Sequence, residues 1–290
     1  MCDKNNKTCF LIVDEELRPP PGMQNAKPIY MRKLLSNTMN DGALSATELI
    51  ATPGETFTKE NSKSWQVKKD GPVMPVSKVL IMAQFITGTI QSEFQPLNIL
   101  MIGLGGSTVN NFFSQFATKP NITVIELDGI MEDISKKWFG LEETISHRIY
   151  IADGAKYLIN RPDNSQKFDA IIIDACYNDP TSELICPVEV FRSVDIASHV
   201  KRNLAPMGTL SMNSISFSNQ TDGFQKLIYN YRKHFGTCFY LSSFGNNIMT
   251  CTDRLLPALN EYELSRRFVG NVPSNFHRAL MEQVQVIYDF

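Results

Sequence analysis

No apolar run in this chain of 290 residues approaches the ~20 needed to span a bilayer; stretches such as Asn98–Ile102 have the length of a buried strand. There is no Cys-x-x-Cys pair. The six cysteines (Cys2, Cys9, Cys176, Cys186, Cys238 and Cys251) are scattered, so zinc-ribbon and thioredoxin readings lack their spacing. An excess of charge is also missing: 28 Lys+Arg against 30 Asp+Glu leaves a formal charge of −2, which argues against affinity built on coating nucleic acid. No period of 20–50 residues repeats, which leaves a solenoid unsupported. The apolar run Cys9–Val13 is too short for the core of a secretion signal, and the Asn-x-Ser/Thr tripeptides at Asn6, Asn121 and Asn219 then read as chance matches. The expectation is a reduced, cytoplasmic protein with no membrane span, nucleic-acid partner or metal site.

What is present is alternation. The 43% hydrophobic and 20% charged content is that of a globular protein. From about residue 85, apolar runs of strand length alternate with helical spacings. Strands are expected at Leu97–Ile102, Ile122–Ile125, Arg148–Ala152, Phe168–Ile173 and Thr209–Ser214. Helices are expected at about Thr108–Phe116, Asp128–Phe139, Ala155–Asn160, Val188–Leu204 (closed by Pro206 and Gly208) and Gly223–His234. Runs as apolar as Phe168–Ile173 suit parallel strands covered by helices on both faces. Two late strands, Thr237–Ser242 and Ile248–Thr252, flank Gly245-Asn246-Asn247 as a hairpin turn. The chain is thus read as α/β: an open parallel sheet over 81–290 with a terminal antiparallel pair. A small antiparallel β unit precedes it over 1–80, with Tyr30–Leu35 and Ala46–Ala51 as strands and turns at Asn40-Asp41-Gly42 and Asp70-Gly71.

Four positions at the C-terminal ends of consecutive expected strands carry the chemistry. Gly103-Leu104-Gly105-Gly106-Ser107 follows a strand and opens a helix, where glycines let backbone approach a ligand. Glu126 closes the next strand, near the spacing of ~20 residues at which an acid accepts ribose hydroxyls. Asp153-Gly154 closes the third strand and Asp174 the fourth, although either acid alone also reads as a helix cap. In an open α/β sheet these ends surround the ligand crevice. A dinucleotide fingerprint would need glycine at 108, where Thr108 stands, and no Gly-x-x-x-x-Gly-Lys-Ser/Thr loop occurs. With the terminal hairpin and the Asp-Gly of the third strand, the pattern favours S-adenosylmethionine over NAD or ATP.

Gly103–Ser107, Val124-Ile125-Glu126-Leu127-Asp128, Ala152-Asp153-Gly154 and Asp174–Pro187 together resemble the spermidine-synthase-like branch of class I methyltransferases. Within it, Trp138-Phe139-Gly140 and Asp179-Pro180-Thr181 followed by Cys186-Pro187 are similar to the C-terminal domain of the methyltransferases acting on lysine and the N-terminus of translation elongation factor 1-alpha. The resemblance is densest over residues 97–191. It implies a Rossmann-like seven-stranded methyltransferase sheet, S-adenosylmethionine as cofactor with S-adenosylhomocysteine as product, and methyl transfer to a protein amine, with elongation factor 1-alpha as the specific candidate; a homodimer is left open. Under it, Gly103, Leu104, Gly105 and Gly106 approach the methionine moiety, Glu126 holds the ribose, Asp153 reads the adenine amino group, and Leu127, Gly154 and Asp174 also belong to the cofactor-binding set. Asp174 and Asp179 orient the acceptor amine, while Tyr177, Asp179 and Pro180 line its entrance. The chain departs from that relative at Ser107, where another glycine is usual, and at Cys176, where an acid is usual. Aminopropyl transfer and a silent cofactor-fold binding module are the alternatives; the first is disfavoured because Leu104 stands where aminopropyltransferases carry an aspartate. His147 and His199 are read as structural.

Overall fold

The computed structural model describes residues 1–2, 7–19, 27–38, 42–177, 183–216 and 222–288. Its first part is a four-stranded antiparallel sheet in the order β1 (Phe10–Leu17), β2 (Ile29–Ser36), β3 (Ser45–Ile50), β4 (Gln66–Pro72). The second and third strands were legible; the turn at Asp70-Gly71 was not correct. Both residues lie inside β4, where the pairing slips from Leu49↔Val67 to Thr47↔Pro72. The glycine marks a bulge rather than a chain reversal. Arg32 on β2 faces Asp14 on β1 in register, buried and joined by two contacts of 2.7 Å. It also donates to the carbonyls of Ser62 and Trp138, tying this sheet to the larger domain.

α1 (Pro75–Ile86) follows, with proline at its start and nine residues buried. A helix apolar nearly all round shows little amphipathic contrast, which is why periodicity did not reveal it.

The second sheet has eight strands in the order β12-β10-β11-β9-β8-β5-β6-β7. Five run parallel: β5 (Asn98–Ile102), β6 (Asn121–Glu126), β7 (His147–Ile151), β8 (Phe168–Ile173) and β9 (Leu204–Ser214). β10 (Thr237–Ser243), β11 (Asn246–Thr252) and β12 (Gln285–Ile287) run antiparallel. The seven expected strands are present, and the three-residue β12 adds an eighth at the edge. Alternate residues of each strand feed opposite cores. Ile99, Met101, Val124 and Ile172 pack with α1 and α2 (Thr108–Phe113), whereas Leu100, Ile102, Ile171 and Ile173 pack towards α4 (Gly154–Asn160), α5 (Val194–Asn203) and α6 (Asp222–Arg232). α3 (Gly129–Trp138) meets the small sheet through Ile134, and α7 (Glu261–Asn271) with α8 (His277–Leu280) closes the first core.

Three local expectations change. The helix over 188–204 is broken: a 3-10 turn at Glu189–Arg192 precedes α5, because Ser193 caps the new helix by accepting from the Ile196 amide at 3.3 Å. Pro206 lies within β9, at a register irregularity opposite Phe168–Ala170, instead of behind a helix. The hairpin turn is Phe244-Gly245, with φ of +46° and +81°, while Asn246 and Asn247 already belong to β11. Positive φ at both central positions matches the twist of paired strands.

The cysteines are the largest departure from the reduced protein expected. All six are paired, as Cys2–Cys9, Cys176–Cys186 and Cys238–Cys251. Spacing concealed this because pairing follows the fold: Cys238 and Cys251 are 13 residues apart yet directly opposite in the β10–β11 ladder. No helix among the described residues is long and apolar enough to cross a membrane.

Candidate active site

Sheet order decides whether the four sequence positions meet. β8, β5, β6 and β7 are consecutive neighbours, so Asp174, Gly103, Glu126 and Asp153 stand side by side at one rim. Backbone bonds carry the row beyond the strands: Asp174 N–H donates to Ile102 O at 2.8 Å, Gly103 N–H to Ile125 O at 2.9 Å, and Ala152 N–H to Glu126 O at 2.8 Å. Three inter-strand gaps of ~4.8 Å make a rim of ~14 Å, the scale of an extended nucleoside with a short tail.

Two glycines on this rim are required by close approach. A Cβ on Gly103, whose φ is +94°, would lie 2.3 Å from the Asp174 carbonyl oxygen, and one on Gly154 would lie 2.5 Å from Ile102 Cγ2. The first lets the chain leave β5 beside β8; the second lets α4 pack on β5. The loop between is held by its own polar groups. Glu126 Oε2 accepts from Leu104 N–H at 2.7 Å and Oε1 from Asp128 N–H at 2.9 Å. Burial pushes the Glu126 carboxyl up, against the pull of those amides. Leu127, beside it, is 76% exposed and offers an apolar surface at the rim.

Asp153 is the N-cap of α4, its Oδ1 accepting from Ala155 and Lys156 N–H at 2.9 and 3.1 Å, so the capping role open in the sequence is real. Asp174 is half-buried, and burial pushes its carboxyl up. Its Oδ1 accepts from Asn213 Nδ2 at 2.8 Å. Cys176 Sγ lies 3.6 Å from the same oxygen, but a disulfide sulfur carries no proton, so this is a packing contact. Tyr177 pairs its N–H with Ile185 O, and its hydroxyl accepts from Glu189 N–H at 3.0 Å. Asp179 and Pro180 lie outside the described residues.

Three residues that sequence reasoning missed complete the arrangement. Ser45, from the small sheet, accepts from Gly106 N–H at 2.8 Å. Ser135 on α3 donates to Gly105 O at 2.7 Å. Asn213, at the end of β9, reaches Asp174 from the next strand. None carries a local motif; each is joined to its partner only by strand order or by the packing of one sheet on the other. His147 is structural, as expected: its Nε2 lies 3.0 Å from Asn110 Nδ2, and burial lowers its pKa to about 4. Two surface hollows lie away from the rim, one of about 710 Å³ between β1 and α3 and one of about 310 Å³ walled by Arg254, Arg266 and Arg267.

With this geometry in hand, comparison with known proteins is informative. No family model matches the chain. It is similar to the eEF1A lysine and N-terminal methyltransferase of Danio rerio, with 27% identity over 127 residues, covering 43% of this chain and 18% of that protein. The Homo sapiens protein of the same name is 29% identical over 123 residues, covering 41% and 18%. The chain therefore spans less than a fifth of the length of these curated relatives. Among solved structures, human methyltransferase-like protein 13 in complex with SAH superposes with a TM-score of 0.62 at 22% identity, over 73% of this chain and 94% of that one. A probable spermidine synthase from Corynebacterium glutamicum gives 0.60 at 18% identity, over 86% and 89%.

The fold is the class I methyltransferase fold.

In a fold of this kind ligands sit at the carboxyl ends of the strands, the edge on which Gly103, Glu126, Asp153 and Asp174 stand. It combines a glycine turn, a buried carboxylate and an exposed apolar side chain at one end with a carboxylate–amide pair, Asp174 and Asn213, at the other. The first group suits a nucleoside. The second suits a group rich in hydrogen-bond donors.

Proposed function

We propose that the chain is an S-adenosylmethionine-dependent methyltransferase acting on a protein amine, either an N-terminal α-amine or a lysine. The observation that carries this reading is the unbroken row of Asp174, Gly103, Glu126 and Asp153 on four neighbouring strands. Glu126 would accept from the ribose hydroxyls with the lone pairs its backbone donors leave, Leu127 would lie against the adenine and Asp153 would read its amino group. Gly103 to Gly106 would follow the methionine moiety, with Gly154 keeping α4 close. Bound there, the cofactor supplies a methyl group already activated by its sulfonium.

The chain's task is then alignment and exclusion of water, and orientation of this kind accounts for ~7–11 kcal/mol of barrier in favourable cases. Asp174, its carboxyl raised by burial, holds the acceptor amine and takes its proton, with Tyr177, Asp179 and Pro180 as the entrance. An α-amine, with a reference pKa of ~7.7–8.0 against ~10.4 for lysine, gives up that proton more readily. The names of the curated relatives make elongation factor 1-alpha the first acceptor to test. That acceptor goes with the cytoplasmic placement read from the sequence, whereas three disulfides are the pattern of oxidising compartments; locating the native protein in cell fractions decides between the settings.

Calorimetry with S-adenosylmethionine tests the reading directly. Saturable binding is expected, and absence of both heat and thermal shift at millimolar cofactor defeats it. Heavy-methyl cofactor with cell extract and mass spectrometry then identifies the acceptor. The likeness to a probable spermidine synthase favours one alternative, aminopropyl transfer; labelled spermidine from decarboxylated cofactor and putrescine would establish it.

A further inference from the structure

β9 delivers one residue to the rim that neither the glycine turn nor the acidic strand ends explain. Asn213 is 4% exposed, although asparagine belongs mostly to protein surfaces. Its amide nitrogen is engaged with Asp174 at 2.8 Å, and that bond sets the amide's orientation, since the reverse would place two oxygens together. The amide oxygen, Oδ1, is buried and has no hydrogen-bond partner among the described residues. Cys176 Sγ and Cys186 Sγ each lie 3.6 Å from Asn213 Nδ2, and both belong to a disulfide with no proton to give.

A buried acceptor left unpaired costs folding free energy, and a half-buried carboxylate with a single neutral donor is also left short of partners. Here both occur on adjacent strands, at the rim where the acceptor would enter. An ammonium group brings several donors and no acceptor, which suits an unpaired amide oxygen beside a carboxylate; an alcohol brings one donor and lone pairs of its own.

We propose that Asn213 is an acceptor-binding residue: its free Oδ1 and the Asp174 carboxylate form a two-oxygen receptor for the ammonium of a primary amine, and this pair selects amines over alcohols. The inference deepens the methyltransferase reading and rests on it for the direction from which the amine arrives. The Cys176–Cys186 disulfide is the wall of this receptor, its two sulfurs beside the Asn213 amide.

The test uses n-butylammonium as probe and butan-1-ol as its neutral counterpart, titrated by calorimetry into the whole chain loaded with S-adenosylhomocysteine. Butylammonium is expected to bind at least about tenfold more tightly than butanol, a difference of ~1.4 kcal/mol. Asn213→Leu should weaken butylammonium by about tenfold while leaving S-adenosylhomocysteine within about twofold, and Asn213→Asp, which keeps an acceptor oxygen, should retain the amine. Equal binding of amine and alcohol to the native chain overturns the proposal. So does undiminished amine binding in Asn213→Leu, or a parallel loss of amine and S-adenosylhomocysteine, which would make Asn213 merely structural. If the native chain fails to bind S-adenosylhomocysteine, the methyltransferase reading falls, and the same two titrations on the unloaded chain still decide the receptor.

Discussion

The Gly106 amide donates to the Ser45 hydroxyl over 2.8 Å, joining the small antiparallel sheet to the glycine loop of the large one. The contact is closed: a Cβ on Gly106 would lie 2.7 Å from Ser45 Cβ and 3.0 Å from the Phe139 ring. Ser45→Ala leaves a buried N–H without a partner, at a cost of ~1–3 kcal/mol. Urea denaturation should show the lower midpoint, and S-adenosylmethionine affinity should fall with it because the loop loses its brace. An unchanged midpoint would mean that water or a neighbour replaces the hydroxyl.

Glu126 serves two masters in this arrangement, the loop through the Leu104 amide and, under the proposed function, the ribose. Glu126→Ala should weaken cofactor binding by ~1–3 kcal/mol. Calorimetry on a variant shown by circular dichroism to be folded is the measurement; full affinity there reassigns Glu126 to supporting the loop alone.

Asp174 should oppose stability while serving the reaction. Burial raises its folded pKa above the unfolded value of ~3.9, so the folded state prefers the protonated carboxyl. Its contribution to stability is therefore fully present below the unfolded pKa and is lost as pH rises to the folded one. Asp174→Asn, neutral at every pH, should raise Tm at pH 7, by about 2–4 °C for each ~1 kcal/mol recovered, and the advantage should vanish towards pH 3. Methyl transfer should collapse in the same variant. A lower Tm at pH 7 would show that the folded state stabilises the carboxylate by more than the Asn213 amide.

Arg32 and Asp14 form a buried pair, with side chains 2% and 7% exposed. Removing one partner strands the other, so Arg32→Met should cost ~3–5 kcal/mol, and Arg32→Met with Asp14→Leu should recover much of it. Chemical denaturation of the three variants gives the coupling directly; additive losses would mean that the Ser62 and Trp138 carbonyls, not Asp14, hold the guanidinium.

The disulfides predict a simple chemistry. Native chain treated with an alkylating agent should gain no label, and full labelling should require reductant and denaturant together, because Cys238 and Cys251 are 3% and 0% exposed. Peptide mapping without reductant should return the pairs 2–9, 176–186 and 238–251. Six alkylated cysteines without reduction would restore the reduced protein that the sequence suggested.

Legibility followed the range of the interactions. Phe168–Ile173 was read to the residue, because a parallel strand covered on both faces is apolar nearly throughout, here at every position but Asp169, and Asp128 and Asp153 lay at helix starts where their caps are local. α1 escaped because a helix buried on nearly every side has little periodic contrast, and β12 because three residues carry no pattern. Asp70-Gly71 misled because the same dipeptide serves turns and bulges, and only strand pairing tells them apart.

By itself, the order of residues determined the alternation of strands and helices and the placing of Gly103, Glu126, Asp153 and Asp174 at strand ends, since burial periodicity and turn chemistry act over a few neighbours. Only the tertiary structure decided that Ser45 braces Gly106, that Asn213 meets Asp174 and that Cys176 bonds to Cys186. Those contacts join atoms brought together by strand order and by one sheet packing on another, and a hydrogen bond or disulfide depends on distances in space that separation along the chain does not encode.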